Sequence, residues 1–260
     1  MPREVTLVAS RRPRRGRSPR RGRQEVLVAG DGMTIGIIGS GNVGRAVARL
    51  AVRAGFDVVL SNSRGPESLA DAVSELGEHA RAGSAADAAR NGRVVLVAVP
   101  LKACADLPVE AFTDKVVIDA TNYYPARDGQ IPELDDASTT TSELLQAHLA
   151  NSKVVKGLNS IAADTLPRLA RPAGSDDRTA LPVAGDDQAA KAAVIDLLDR
   201  LGYDAVDAGP LSEGWRFQRD TPAYVAPYMG PGGVADARPT SAERIRTELR
   251  QADRDHQAIS

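Results

Sequence analysis

The sequence predicts an α/β fold, in which a doubly wound parallel sheet is followed by a small C-terminal α/β cap. Short apolar runs at 34–38 and 94–99 are rich in β-branched residues and typical of strands buried in a parallel sheet. Amphipathic helical stretches separate such runs, as in strand–helix–strand units. The cap is predicted by a last strand, helix and strand, at 180–185, 187–201 and 203–207. These elements disfavour a long all-helical second domain.

The stretch 33–64 reads as a strand, a glycine-rich turn, a helix and a second strand. The turn fits G-x-G-x-x-G, in which the first glycine permits the tight turn, the second lets backbone approach a pyrophosphate, and the third lets the helix lie close to the strand. N–H groups at the start of the helix would face the phosphates. The pattern predicts a Rossmann-type dinucleotide site; a glycine turn that only joins strand to helix is the alternative. The expected binding residues are Gly39, Ser40, Gly41, Asn42, Val43 and Gly44.

The end of the second strand indicates which dinucleotide is bound. An NAD site places Asp or Glu there for the ribose 2′-hydroxyl, whereas a 2′-phosphate calls for Arg and hydroxyl donors. Asn62, Ser63 and Arg64 occupy this position, with no carboxylate among them. Two charge-assisted hydrogen bonds of about 1.5–3 kcal/mol each would favour NADP over NAD by about a hundredfold or more. We therefore expect Ser63 and Arg64 to bind the 2′-phosphate; a solvated arginine in a surface turn is the alternative.

Three later strand ends are expected to contribute to the same site. In open α/β sheets the ligand lies at the carboxyl edge, so residues that follow these strands are expected near the nicotinamide half. Asn122 either hydrogen-bonds the carboxamide or ribose of the cofactor or shapes its turn, and a plain strand-to-helix turn is the alternative for Val99, Pro100 and Leu101. The residues expected at this edge are Val99, Pro100, Leu101, Asn122, Asn159 and Ser160.

The sequence predicts no catalytic side chain and no metal site. The three histidines are scattered, and neither the zinc motif H-E-x-x-H nor the P-loop lysine pattern occurs. The single cysteine, Cys104, excludes an intrachain disulfide and is expected to be a small buried thiol. Lys156 could act as a general acid towards a carbonyl or imine, but a surface charge at a strand end is the preferred interpretation. Because no apolar run approaches the roughly 18 residues of a membrane span, we expect a cytoplasmic protein.

Residues 1–32 differ from the rest of the chain, because they contain nine arginines against three acidic residues and little apolar sequence. Such a segment is expected to be disordered. We prefer the interpretation that Met33 is the genuine start and that the preceding residues are translated upstream sequence. A nucleic-acid-binding tail is a disfavoured alternative, and the absence of an apolar run after the arginines argues against a signal peptide.

The remaining chain is divided by composition. An aromatic cluster in the cap either covers a flat ring ligand or forms a small satellite core, which is the preferred interpretation. Its members are Trp215, Phe217, Tyr224 and Tyr228.

The predicted units are a dinucleotide-binding domain at 33–160, a capping subdomain at 161–229 and a polar tail at 230–260. Surface loops are predicted at 126–137 and 167–177, and an exposed helix at 241–255.

With these motifs in place, residues 33–211 resemble the coenzyme F420-dependent NADP oxidoreductases. The resemblance is carried by the glycine turn, by Asn62-Ser63-Arg64, by Ala98-Val99-Pro100 and by the turn at 155–160. It implies a Rossmann domain for NADP, a small C-terminal subdomain that closes over the deazaflavin, and hydride transfer between deazaflavin and nicotinamide. It also implies that residues 40–43 hold the pyrophosphate and that Ser63 and Arg64 hold the 2′-phosphate. Where the family can carry a phosphate-binding lysine this chain has Ser68, which weakens that grip.

The sequence therefore predicts an NADP(H)-dependent oxidoreductase that transfers a hydride between nicotinamide and a second ring cofactor, with coenzyme F420 as the first candidate. The same nucleotide domain also resembles the cytoplasmic part of metalloreductases. A reductase of a flavin, a metal or a small carbonyl or imine is thus one alternative, and a non-catalytic NADPH-binding sensor is another. The expected partners are small molecules, not membranes or nucleic acids. The sequence does not decide whether the protein forms a homodimer.

Overall fold

The computed structural model describes residues 32–254, so the predictions for residues 1–31 and 255–260 lie outside it. Within this range, eight strands form one sheet. They are β1 (Thr34–Ile38), β2 (Asp57–Ser61), β3 (Ala80–Ala82), β4 (Val94–Val97), β5 (Val116–Asp119), β6 (Lys153–Lys156), β7 (Ala180–Gly185) and β8 (Asp204–Asp207). A separate antiparallel pair consists of β9 (Met229–Gly230) and β10 (Gly233–Ala237).

Helices connect the strands. The α-helices are α1 (Asn42–Arg53), α2 (Ala70–Leu76), α3 (Ala85–Asn91), α4 (Pro125–Asp128), α5 (Pro132–Asp135), α6 (Thr141–His148), α7 (Leu166–Leu169), α8 (Gln188–Leu201) and α9 (Ala242–Gln251). Short 3-10 helices occur at Pro66–Leu69, Leu101–Asp106, Val109–Phe112, Leu211–Phe217 and Ala226–Tyr228. A capping box precedes α3, because the side chains of Ser84 and Asp87 accept hydrogen bonds from each other's backbone N–H groups.

The sheet has the strand order β3-β2-β1-β4-β5-β6-β7-β8. Strands β1 to β6 are mutually parallel, whereas β7 runs antiparallel to β6 and parallel to β8. The order of the first six strands is that of a Rossmann fold, so the predicted fold class is confirmed. The two strands predicted for the C-terminal cap extend the dinucleotide-binding sheet. The order reverses between β1 and β4, where a crevice is expected at the carboxyl ends.

Apolar side chains pack on both faces of the sheet. Neighbouring residues of β1 point to opposite faces. Ile37 belongs to the cluster that contains the apolar face of α1 and α8, and Ile38 belongs to the cluster that contains Ala88 of α3 and Leu145 of α6. All four side chains are almost completely buried. The sheet is therefore covered by helices on both sides, as the near-continuous apolar strands predicted.

Two predicted loops contain short helices. Helix α4 overlaps the start of the loop predicted at 126–137 and α5 falls within it, and each begins at a proline, Pro125 and Pro132. Proline fits this position because its fixed φ suits the helix and its missing N–H would have no intrahelical partner. Helix α7 likewise overlaps the start of the loop predicted at 167–177. The prediction of continuous loops was wrong because each helix is a single turn with little periodicity.

The helix predicted near the C-terminus is present, but the prediction that it is exposed was wrong. Helix α9 places Ile245 and Leu249 in the core, with exposed fractions of 0% and 7%, and it packs against β7 and β8. Two apolar residues four positions apart form one buried stripe, while its other faces carry mostly charged side chains. The polar composition of the segment concealed this stripe.

Candidate dinucleotide and acceptor site

The glycine loop joins β1 to α1 at the carboxyl edge of the sheet. Gly39 has φ +110°, and a Cβ there would lie 2.2 Å from the Ala98 carbonyl oxygen. A Cβ on Gly44 would lie 1.8 Å from the Gly39 carbonyl oxygen, so only glycine fits at either position. Arg45 Nε donates a hydrogen bond to the Ser40 carbonyl oxygen over 3.0 Å. The loop is thus held tightly against both β4 and the start of α1.

Gly41 differs from these two glycines because it borders open space. A Cβ at Gly41 would meet nothing within 4 Å, and the residue borders both cavities of the crevice. It is the N-cap of α1, and no side chain caps the helix there. The first N–H groups of the helix and its positive dipole end are therefore available to an anion. This arrangement fits a pyrophosphate without displacing any side chain.

One half of the crevice is a cavity of about 460 Å³ between the ends of β1, β2 and β4. Its wall includes Ile38, Ser40, Ser63, Arg64, Val99 and Pro100. Arg64 is exposed, and within residues 32–254 its guanidinium has no hydrogen bond or ion pair. Asp106 also borders the cavity, but from the 3-10 helix after β4 rather than from the tip of β2. The cavity therefore offers a free guanidinium and a hydroxyl where a 2′-phosphate is expected.

Asn62 organises the turn that carries Arg64. Its Nδ2 donates to Ser40 Oγ over 3.2 Å and to Ser68 Oγ over 2.9 Å, and its Oδ1 accepts from the Arg64 N–H over 2.9 Å. Ser68 Oγ also donates to the Gly65 carbonyl oxygen over 2.8 Å. Ser68, the position where the resemblance expects a phosphate-binding lysine, is thus part of the turn itself. The sequence showed Asn62 at the strand tip but not this bridge to the glycine loop.

The other half of the crevice is a cavity of about 340 Å³ at the ends of β4, β5 and β6. It shares Gly41, Ala98, Val99 and Pro100 with the first cavity, so the two cavities adjoin. Residues from the C-terminal part of the chain close one side. They are Ile161, Ala162, Ala163, Tyr224 and Val225.

Two asparagines bridge the ends of β5 and β6 at this cavity. Asn122 Nδ2 donates to the Asn159 carbonyl oxygen over 3.0 Å, and Asn159 Nδ2 donates to the Phe217 carbonyl oxygen over 2.9 Å. Asn159 Oδ1 and Thr121 Oγ1 are buried and have no partner within residues 32–254. Because buried polar atoms are normally hydrogen-bonded, these two atoms can receive a polar group of a ligand. A carboxamide has both a donor and an acceptor and suits them.

A buried polar network lies behind this wall. Lys156 Nζ is 3.1 Å from Asp119 Oδ2, 2.5 Å from the Thr121 carbonyl oxygen and 2.9 Å from Thr141 Oγ1. Ser142 Oγ donates to the same Asp119 oxygen over 2.5 Å. The Lys156 side chain is 1% exposed, so the interpretation as a surface charge was wrong. Burial lowers the pKa of its ammonium group. Lys156 borders neither cavity, and its contacts make it a support for the Thr121 loop.

The predicted site residues separate into two groups by position. Leu101 and Ser160 are buried, and Gly44 serves the packing of the loop, so these three do not line the crevice. The residues that do line it are Gly39, Ser40, Gly41, Asn42, Val43, Ser63, Arg64, Val99, Pro100, Asn122 and Asn159. The prediction did not include Thr121, Tyr124, Arg127 and Val225, which also line it. The polar and aromatic composition of the segment 120–125 is the sequence signal that could have identified the first two.

The aromatic cluster of the cap is mainly core. Trp215, Phe217 and Tyr228 have exposed fractions of 7%, 0% and 1%. Tyr224 is the member that lines the crevice, where its hydroxyl lies 2.7 Å from the hydroxyl of Tyr124. The core interpretation therefore holds for Trp215, Phe217 and Tyr228, while contact of Tyr224 with a ring ligand stays a prediction.

The described part of the chain lacks two features, a metal-binding cluster and a membrane-spanning helix. Between residues 32 and 254, no group of three or more His, Cys, Asp and Glu side chains is placed to hold a metal ion. No helix in the same range combines the length and apolar character that a bilayer crossing requires.

Fold and crevice together define a Rossmann-type protein with the glycine loop of a dinucleotide site. Residues 34–123 match the model of the family described as NADP oxidoreductase, coenzyme F420-dependent. Two solved structures are similar over a larger part of the chain. A hypothetical protein of Sinorhizobium meliloti, SMa0349, is 29% identical with a TM-score of 0.65, over 74% of this chain and 93% of the other. A proposed F420-dependent NADP reductase of Arthrobacter sp. FB24 is 28% identical with a TM-score of 0.59, over 69% and 86%.

One curated relative matches over a shorter stretch. The protein YjhV of Escherichia coli (strain K12) is 43% identical over 53 residues, which are 20% of this chain. That stretch spans 39% of the length of the E. coli protein.

Proposed function

We propose that this protein transfers a hydride between NADP(H) and a second ring cofactor, with the deazaflavin coenzyme F420 as the first candidate. The observation that carries the proposal is a pair of adjoining cavities with different chemistry at the two outer ends. The unpaired Arg64 guanidinium stands at one end, and the unsatisfied Thr121 and Asn159 oxygens stand at the other. This arrangement matches the extended shape of a phosphorylated dinucleotide.

Each part of the crevice has a proposed role in binding. Gly41 and the start of α1 hold the pyrophosphate, and Ser63 with Arg64 holds the 2′-phosphate. Val99 and Pro100 form the apolar wall shared by both halves. The asparagine pair, Asn122 and Asn159, and the neighbouring Thr121 hydroxyl orient the carboxamide of the nicotinamide.

Bound NADPH supplies a hydride, so the chain itself needs no nucleophile. An acceptor gains that hydride together with one proton from solvent, and NADP⁺ is the other product. The protein then contributes placement and exclusion of water. The C-terminal residues that close the second cavity, including Tyr224 and Val225, serve this purpose, and they support a capping role for residues 161–229.

The test is to mix the purified full-length chain with NADPH and oxidised F420 and to follow the visible absorbance of the deazaflavin. We expect bleaching that requires NADPH and is much slower with NADH. If the protein binds NADPH tightly but F420 does not oxidise the bound NADPH, F420 is not the acceptor. FMN, a ferric chelate and a cyclic imine would then be tried as acceptors, and inactivity with all of them would indicate an NADPH-binding sensor.

A further inference from the structure

A pair of tyrosines joins two distant parts of the chain at the second cavity. Tyr124 follows β5 and Tyr224 lies in the C-terminal segment, yet their hydroxyl oxygens are 2.7 Å apart. Both residues line the cavity, and no other aromatic residue of the described chain lines the crevice. An acceptor bound beside the nicotinamide would therefore meet these two side chains first among the aromatic residues.

Tyr124 is held in place by two guanidinium groups. The Cζ atoms of Arg127 and Arg219 lie 4.7 Å and 5.3 Å from the centre of its ring. Each arginine is also paired with a carboxylate, Arg127 with Asp128 and Arg219 with Asp220. These arginines thus have their charges balanced and serve to fix the ring by cation–π contact. Among residues 32–254, no such group lies over the ring of Tyr224, which is partly buried and lines the cavity.

Tyr224 is placed by a strained turn. The next residue, Val225, has φ +55° and ψ −48°, and the Ala226 N–H donates to the Tyr224 carbonyl oxygen over 2.5 Å. This is a γ-turn of the rare positive-φ kind, unfavourable for a β-branched residue. The Val225 N–H donates to the Ser160 carbonyl oxygen over 2.7 Å, which ties the turn to the segment after β6. Strain of this kind persists where surrounding structure enforces it, and it is concentrated at functional sites.

We propose that the Tyr124–Tyr224 pair recognises the electron acceptor, and that the acceptor is a planar conjugated ring with a hydrogen-bond-accepting oxygen or nitrogen. Two phenol groups carry two hydroxyl hydrogens, and the contact between them uses one. The other can donate to the acceptor while the ring of Tyr224 covers it. Burial raises the pKa of Tyr224, so the group stays protonated and acts as a donor across the physiological range. This inference rests on the function proposed above.

The test compares Tyr224→Phe and Tyr124→Phe with the matched control Tyr123→Phe. Tyr123 lies in the same loop and its hydroxyl also forms hydrogen bonds, to Asp135 and from the Ile131 N–H, but it borders neither cavity. Two dissociation constants are measured for each protein. One is that of NADPH, from its fluorescence, and the other is that of oxidised F420 or FMN, from ring fluorescence with the protein saturated with NADP⁺.

We expect both cavity variants to weaken ring binding by about three- to tenfold, the effect of one neutral hydrogen bond, and to keep NADPH affinity within about twofold. Tyr123→Phe should change neither constant by more than about twofold. Unchanged ring affinity in both cavity variants, or failure of the wild-type protein to bind either ring, overturns the inference. The NADPH titration of the wild-type protein is a separate readout, and its failure would overturn the proposed function instead.

Discussion

Lys156 Nζ and Asp119 Oδ2 form an ion pair of 3.1 Å between two side chains that are 1% and 0% exposed. The two residues are register partners on β6 and β5. Their contact, together with the bond from Lys156 to the Thr121 carbonyl oxygen, fixes the strand ends from which Asn122 and Asn159 project. The Lys156–Asp119 ion pair borders neither cavity, yet it shapes the wall of the second cavity.

Removing one member of this pair should destabilise the protein strongly. Lys156→Met leaves the Asp119 carboxylate buried without its cation, and we expect a loss of about 3–5 kcal/mol in the free energy of unfolding. The double variant Lys156→Met with Asp119→Asn contains no unpaired charge and should lose less than the single variant. Urea unfolding measures both values. Equal or larger loss in the double variant would contradict the account of this network.

Gly41→Ala should separate binding from folding. A Cβ at this position meets no protein atom within 4 Å, and Gly41 has φ −72°, which any residue adopts. We therefore expect a melting temperature close to that of the wild-type protein and NADPH binding weakened about tenfold or more, since the methyl group occupies the space of the pyrophosphate. Gly44→Ala is the contrasting variant, because its Cβ would overlap the Gly39 carbonyl oxygen and should destabilise the fold. Undiminished NADPH affinity in Gly41→Ala would remove the pyrophosphate assignment.

His79 provides a pH-dependent contribution away from the crevice. Its Nδ1 lies 3.0 Å from Asp57 Oδ1, and the hydrogen bond to this carboxylate raises its pKa above the ordinary 6.5. A raised folded-state pKa means that the interaction stabilises the fold fully below the unfolded pKa and ceases to do so as pH rises through the folded pKa. NMR titration of the imidazole should show the raised value in the wild-type protein and a return towards 6.5 in Asp57→Asn. A wild-type value at or below 6.5 would be inconsistent with the contact.

The first strand, the glycine loop and the first helix could be predicted from sequence because their signals are local. All of these signals lie close together in the sequence. They are the apolar run at 34–38, the spacing of Gly39, Gly41 and Gly44, and the apolar periodicity of α1. The expected strand at 94–99 was longer than β4, which ends at Val97, because apolar composition does not mark where ladder pairing stops.

The second cavity could not be predicted in the same way, because its parts come from distant segments. Lys156 is buried only because β6 pairs with β5 and because α6 brings Thr141 over its end. Tyr224 meets Tyr124 across 100 residues of sequence. Local pattern and propensity do not contain such contacts, so the surface-charge interpretation of Lys156 was reasonable and wrong.

The central claim is that the crevice binds a dinucleotide carrying a 2′-phosphate, and the ratio of NADH to NADPH dissociation constants tests it most directly. The ratio is measured for the wild-type protein, for Arg64→Ala and for the control Arg81→Ala, an exposed arginine on β3 that borders neither cavity. We expect a ratio of about a hundred in the wild-type and control proteins. In Arg64→Ala we expect a ratio about tenfold lower, through weaker NADPH binding alone, because Ser63 still contacts the 2′-phosphate. Equal affinities in the wild-type protein, or equal losses for both dinucleotides in Arg64→Ala, would contradict the account.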